Sequence, residues 1–377
     1  MAGFYVHIPF CRKVCYYCDF HFVAGLKAKS RVLDAMHNET EQRKNDWQEH
    51  QFETIYFGGG TPSVLSIDEI KALCETIFKN YNFSESPEFT IEANPDDLTP
   101  AYLRALKSET SINRLSIGIQ SFNDNILKFL NRRHSGKQAI DSVNRARDAG
   151  FDNITIDLIY GIPGLTNAEW EKALVTFLGL GIKHLAAYHL AIEPKTVFGV
   201  WQKKNRIAPV SDNVSVQQYK MLTGILAEAG FEHYEISNFA AGKMYSKHNT
   251  AYWQNIPYIG IGPSAHSYNK NVRRWNLPNN TLYSNCLTDK PDRYFEEENL
   301  STDERFNDYI LTSLRTMWGA SLEKIENDFG RNYSEWCHET LANKAVKDNI
   351  VIQGRNFRIP ESSWLIADRI MEAFFRV

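Results

Sequence analysis

The sequence predicts an α/β protein: a partial (β/α)6 TIM-like barrel followed by a small α+β winged-helix-like C-terminal module. Three observations predict it. Short apolar runs alternate about six times with longer segments of 3.6-residue periodicity in the first 235 residues. The conspicuous glycine and polar positions fall just after the apolar runs, at the strand ends where a barrel keeps its chemistry. After about Phe231 the rhythm fails, and helical patterns followed by short alternating segments close the chain.

The expected strands are residues 3–8, 54–57, 88–93, 114–119, 153–159 and 184–191. Helices are expected over 28–47, 67–79, 100–108, 137–149 and 167–178. Strand–helix alternation of this kind implies a parallel sheet, and about six units suit an incomplete barrel, with a flat doubly wound sheet as the alternative. Ser66 stands three residues before Glu69, a capping-box spacing, and Gly150 follows a helical pattern as a C-cap does. Residues 237–300, rich in Asn, Pro, Gly, Tyr and Trp, suggest irregular connections with short strands. Helical patterns return over 303–317, 322–329 and 334–347, and alternation over 350–353 and 356–359 suggests a small hairpin. The expected division is a barrel over 1–235, a connecting region over 236–300 and a winged-helix-like unit over 301–377.

Composition narrows the classes. Hydrophobic residues make up 43% and charged residues 23% of the 377, ordinary for a globular protein, and the formal net charge of -3 gives no global attraction for nucleic acid or anionic membrane. No apolar run nears the ~20 residues of a spanning helix. The opening MAGFYVHIPF lacks a basic segment and a cleavage site, so a cytoplasmic location is expected.

Of six cysteines, Cys74, Cys286 and Cys337 are scattered and expected to be buried as small hydrophobes. Cys11, Cys15 and Cys18 lie within eight residues, as C-x3-C-x2-C. Structural zinc wants four ligands, usually in two C-x2-C pairs; here His7 or His21 could supply the fourth, which leaves zinc as the alternative. An iron–sulfur cluster also usually takes four cysteines, so three leave one iron open, which is useful only if a substrate or cofactor binds there.

C-x3-C-x2-C with Tyr17 before the last cysteine resembles the radical S-adenosylmethionine superfamily. The resemblance implies a [4Fe–4S] cluster on Cys11, Cys15 and Cys18, with S-adenosylmethionine chelating the open iron. The other strand ends agree. GGGTP (58–62) follows the second strand, Glu92 and Asn94 end the third, Gln120 and Ser121 the fourth, and Asp157 lies near the end of the fifth. Glycines admit a ligand close to backbone, Glu92 can accept from an ammonium or ribose hydroxyl, Gln120 both donates and accepts, and a buried Asp157 needs a partner. Taken singly, each has an ordinary structural explanation: a tight turn, a capping carboxylate, an ion pair, or for Arg132 and Arg133 a solvated helix face.

YVHIPFC, FGGGTPS, IEANP, RLSIGIQSF, NRRH and IDLIYGIPG resemble, within that superfamily, the oxygen-independent coproporphyrinogen III oxidase group over residues 5 to about 165. The resemblance implies that Tyr5 and Tyr17 line the S-adenosylmethionine site and that Gly59, Gly60, Thr61 and Glu92 hold its methionine and ribose portions. Gln120, Arg132 and Asp157 would surround the inner cavity, where the family has a second S-adenosylmethionine position.

That group contains oxidases and HemW-type heme chaperones. Oxidases carry a fourth cysteine in C-x3-C-x2-C-x-C and an N-terminal extension; here Phe20 stands at the cysteine position and Cys11 has only ten residues before it. The chaperones carry HNxxYW, and this chain reads HNTAYW, so the resemblance implies heme binding by His248, Asn249, Tyr252 and Trp253, in a segment expected outside the barrel core, at its edge or in the connecting region. A neutral imidazole can ligate heme iron, and Tyr and Trp offer flat apolar faces, although a lone His in an Asn-rich loop is more often simply solvated. The chain is therefore expected to carry heme to an acceptor protein, such as a respiratory cytochrome or a membrane-associated protein, with cluster, S-adenosylmethionine and heme as cofactors. A homodimer is compatible. The alternative is an oxidase that decarboxylates porphyrinogen propionates through a 5′-deoxyadenosyl radical. A DNA-binding regulator using the C-terminal unit is disfavoured by the acidic balance and the lack of a Lys/Arg-rich recognition helix.

Overall fold

A computed structural model describes residues 1–289 and 293–376. Its centre is a twelve-stranded sheet. Strands β1 (Ala2–Ile8), β2 (Gln51–Gly59), β3 (Asn82–Ala93), β4 (Arg114–Gln120), β5 (Asn153–Tyr160) and β6 (His184–His189) run parallel in chain order and form the partial barrel. Each expected strand is present; the bounds agree within three residues, except that β3 begins six residues early, at Asn82.

The helices begin where capping chemistry says they should. Ser66 and Glu69 close the expected capping box at the start of Ile67–Asn80, and the same device starts Gly136–Asp148, Asn167–Gly179 and Thr302–Ser313. The first expected helix is shorter, Lys29–Gln42, with a 3-10 turn Lys44–Trp47 after it. Gly150 has φ +87°, the left-handed conformation expected of a helix stop.

The region read as irregular connections with short strands holds such strands, and they extend the central sheet at both edges. β7 (Phe231–Glu235) and β8 (Asn238–Ala241) form an antiparallel pair, and β8 lies against β6. β9 (Tyr258–Ile261) runs parallel to β1 on its outer side and continues into β10 (His266–Tyr268), β11 (Val272–Asn276) and β12 (Phe295–Asn299). These strands are only three to five residues long, so their period-2 pattern is short and weak. Their place in the sheet is decided by the unpaired edges of β1 and β6.

Alternation along the barrel strands separates two environments. Phe4, Val6, Ile55, Phe57, Phe89, Ile91, Leu115, Ile117 and Ile156 point outward and are fully buried under the helices. The opposite face carries Tyr5, His7, Thr54, Tyr56, Glu88, Glu92, Arg114, Thr155, Asp157 and His184; hydrogen bonds and ring contacts link Tyr5, His7, Tyr56 and Glu92, and hydrogen bonds and an ion pair link Glu88, Arg114, Thr155 and His184. The core of an ordinary barrel is packed with branched apolar side chains. Here the apolar core lies between sheet and helices, and the barrel interior is polar.

A second apolar cluster, including Phe306, Ile310, Ile325, Cys337, Phe357 and Met371, belongs to the C-terminal residues. Helices Thr302–Ser313, Leu322–Phe329 and Arg331–Ala342 pack there with a three-stranded sheet of Ala320–Ser321, Asn356–Arg358 and Val351–Gln353. This is the winged-helix-like arrangement expected. Among the described residues no helix is long and apolar enough to cross a membrane.

Candidate functional site at the barrel mouth

The carboxyl ends of the barrel strands surround a cavity of about 360 Å³. Cys11, Cys15 and Cys18 line it, with Tyr17, Gly59, Gly60, Thr61, Glu92, Gln120, Arg132 and Asp157. Eleven residues singled out in the sequence therefore meet at one place.

The cysteine loop is held at both ends and at its middle. Phe10–Cys11 pairs in parallel with Val23–Ala24, and the Asn131 amide donates to the Val14 carbonyl at 2.6 Å. The thiols face polar donors: the Thr61 hydroxyl lies 3.3 Å from Cys11 Sγ, and Arg132 Nη1 lies 3.2 Å from Cys15 Sγ. Burial pushes the Cys11 thiol up to about 11 and the Cys18 thiol up to about 12. The scattered Cys74, Cys286 and Cys337 are buried, as expected.

The candidates for a fourth zinc ligand are engaged elsewhere. His7 Nδ1 receives the Tyr5 hydroxyl at 3.1 Å and its Nε2 donates to the His21 carbonyl at 2.9 Å, while His21 Nε2 pairs with Asn280 Oδ1 at 2.7 Å. Three partly exposed thiols around a roomy cavity, with donors already aimed at two of the sulfurs, suit a multi-iron group that needs only three protein ligands.

The glycine turn makes the opposite wall. Gly59 has φ +107°, and a Cβ there would come within 2.7 Å of the His7 ring. A Cβ on Gly60 would lie 2.8 Å from the Phe10 carbonyl oxygen. Both positions require glycine, and both leave backbone open to the cavity. The Gly59 N–H donates to Glu92 Oε2 at 3.2 Å, and the Tyr56 hydroxyl donates to Oε1 at 2.8 Å. Burial, reinforced by the charge of Asp157, raises Glu92 to about 7 despite these two donors. Burial likewise raises Asp157 to about 6, opposed by Arg114, Arg132 and a Ser116 hydroxyl at 3.4 Å.

The two arginines part company. Arg132 turns inward, its Nη2 donating to Asn94 Oδ1 at 2.5 Å and to the Gly118 carbonyl. Arg133 turns to Asp96 and Asp97, at 3.0 and 3.1 Å. Gln120 reaches the cavity through a backbone kink, with φ +69° and a register shift against β5.

Five residues singled out in the sequence lie away from this cavity. Tyr5 does not line the cavity. It sits one layer deeper, its hydroxyl on His7 and its ring stacked on Tyr56 and His248. The HNTAYW segment lies at the edge of the barrel, but it turns its histidine into the interior. It forms the short helix Lys247–Trp253, capped by Ser246, which closes the floor at the amino ends of β1 and β2. His248 is 2% exposed and points inward: Nδ1 lies 2.7 Å from the Thr54 hydroxyl and Nε2 2.9 Å from the Tyr252 hydroxyl. A neutral imidazole has one donor and one acceptor, and both are used. Burial, with the nearby Arg114 charge, lowers His248 to about 3. Tyr252 also meets Tyr258 edge to face, the Asn249 N–H is taken by the Ser246 hydroxyl, and Trp253 is half-buried. None of the four reaches the upper cavity.

Tyr56, Ser116 and Tyr188 also belong to this interior and were not singled out. Period-2 spacing offered a signal: Tyr56 lies two residues before Gly58, and Ser116 two before Gly118.

Comparison with known proteins agrees with the geometry. The model of the radical SAM superfamily matches residues 5–176. The chain is 34% identical over 370 residues to the heme chaperone HemW of Lactococcus lactis, covering 98% of this chain and 96% of that one. It is 33% identical over 376 residues to the HemW of Bacillus subtilis, covering 99% of each. The solved coproporphyrinogen III oxidase HemN of Escherichia coli shares the fold, with TM-score 0.84 at 22% identity, over 99% of this chain and 90% of that one. On these similarities and on its three-cysteine barrel mouth, the chain belongs to the HemW family of the radical SAM superfamily.

Proposed function

We infer that this protein is a heme chaperone, which binds heme and passes it to an acceptor protein. It holds a [4Fe–4S] cluster on Cys11, Cys15 and Cys18, and S-adenosylmethionine binds beside it. Gly59, Gly60 and Thr61 receive the amino acid portion on open backbone, and Glu92 receives an ammonium or ribose hydroxyl. Tyr17, Gln120, Arg132 and Asp157 complete the wall. The cofactor supplies redox chemistry when bound; the chain supplies the walls, the donors to sulfur and a site closed below.

The observation that carries this function is the pairing of an intact HNTAYW helix with a cavity lined by three cysteines and by Phe20 in place of a fourth. Relatives named heme chaperones match this chain over nearly its full length. Heme is the cargo, and His248 is its iron ligand once the ring leaves Thr54 or Tyr252. The barrel floor must therefore loosen during loading.

The test is a hemin titration of the anaerobically purified protein and its His248→Ala variant. A shifted Soret band and weaker binding in the variant are expected. An identical spectrum and affinity would remove His248 as ligand. Incubation with coproporphyrinogen III, S-adenosylmethionine and a reductant is expected to give no protoporphyrinogen. Turnover would replace the chaperone by the oxidase.

A further inference from the structure

A second cavity, of about 370 Å³, lies on the other side of the Lys247–Trp253 helix from the barrel interior. Helical spacing explains the two sides. His248 and Tyr252, four residues apart, face the barrel, whereas Lys247, Ala251 and Gln254 line the cavity. Thr54 is shared: it lines the cavity and holds His248 Nδ1 at 2.7 Å. The imidazole is thus one side chain away from this space.

The lining has a definite character. Tyr245, Ala251 and Ile256 supply apolar surface, and Lys243 and Lys247 supply two exposed ammonium groups against the single carboxylate of Glu53. The Tyr245 hydroxyl is already committed to Glu232. Thr250 also lines the cavity, and its buried hydroxyl has no partner among the described residues. A buried hydroxyl without a partner calls for an explanation, and a polar ligand edge is one.

The geometry points to this cavity as the port for the carboxylate edge of heme. Its apolar wall takes the flat ring, Lys243 and Lys247 pair with the two propionates, and the iron comes to rest on the side of Thr54 and His248. This deepens and rests on the heme-carrying function proposed for the chain. Glu53 opposes the propionates and sets an upper bound on affinity.

The experiment follows zinc protoporphyrin IX fluorescence on the full-length protein, with its dimethyl ester as the uncharged control. Both lysines are exposed, so K243E/K247E keeps the wild-type thermal melt. It is expected to weaken the free acid about tenfold, the combined effect of losing and reversing two exposed ion pairs. The dimethyl ester binds both proteins alike, and E53Q tightens the free acid about twofold. Equal affinity of wild type and K243E/K247E for the free acid, or an equal loss with the ester, overturns the port. If His248→Ala weakens hemin while K243E/K247E does not, the chaperone function stands and the port falls. If the wild type binds no porphyrin, both fall.

Discussion

Tyr56 lies stacked on His248, ring centroids 5.0 Å apart and 24° between the planes. The same Tyr56 donates its hydroxyl to Glu92 at 2.8 Å. One side chain therefore touches both the carboxylate of the cysteine-lined cavity and the imidazole of the floor helix. Tyr5 reinforces the layer by stacking on both rings. The two ends of the barrel are joined by contiguous contacts through a polar interior.

Removing the two contacts separately should have different results. Tyr56→Phe keeps the stack and leaves Glu92 with one donor, so S-adenosylmethionine binding is expected to weaken by about 1–2 kcal/mol with little change in hemin binding. Tyr56→Leu also removes the stack and is expected to alter hemin binding and to lower stability by about 2–4 kcal/mol. Calorimetric titration with each ligand checks both. Equal hemin affinity in Tyr56→Leu and wild type would show that the stack does not set the floor.

Stability should depend on His248 in acid. The fold keeps its ring neutral down to about 3, while the unfolded chain takes up a proton below about 6.5. As pH falls through this window the unfolded state binds more protons, and stability is lost at about 1.4 kcal/mol per pH unit. His248→Gln is expected to reduce the slope by about that amount. Urea unfolding at a series of pH values measures it, and an unchanged slope would contradict a neutral buried ring.

Glu92 and Asp157 act in the opposite direction. Both have raised values in the fold, about 7 and about 6, so their neutral forms are favoured there. Their contribution is full below about pH 4 and is lost as pH rises to about 7. Glu92→Gln is expected to flatten the ligand-free stability profile between pH 4.5 and 7. A profile as steep as wild type would exclude this assignment.

The glycine turn should be intolerant. Gly59→Ala forces a side chain into φ +107° and onto the His7 ring. A loss of about 2 kcal/mol in stability is expected, with loss of S-adenosylmethionine binding. Gly164 has φ +87° with no atom close to a Cβ, so Gly164→Ala should bear the conformational cost alone and leave binding intact. Thermal melts and titrations of the pair separate strain from ligand contact.

Cysteine substitution tests the cluster. Replacing Cys11, Cys15 or Cys18 with alanine is expected to remove most bound iron and the broad visible absorption after anaerobic reconstitution. Cys74→Ala and Cys337→Ala are expected to retain both. Iron retained in a triple variant would end the assignment.

Much of the barrel was legible in the chain itself. Strong local signals carried it: apolar strands buried on one face, the Ser66–Glu69 capping box, a helix stop at Gly150, and three cysteines within eight residues. The cavity residues were legible because consecutive parallel strands bring their carboxyl ends to one mouth, so positions far apart in sequence are placed together by topology alone. Tertiary structure alone decided the rest. Whether Arg132 or Arg133 turns inward depends on where Asp96 and Asp97 lie. The short strands after Phe231 take their places from the open edges of β1 and β6, to which local propensity is blind. His248 was legible as a candidate heme ligand from the HNTAYW motif, but not its place; it is a buried part of the floor, because Thr54 and Tyr252 satisfy both ring nitrogens and Tyr56 covers its face.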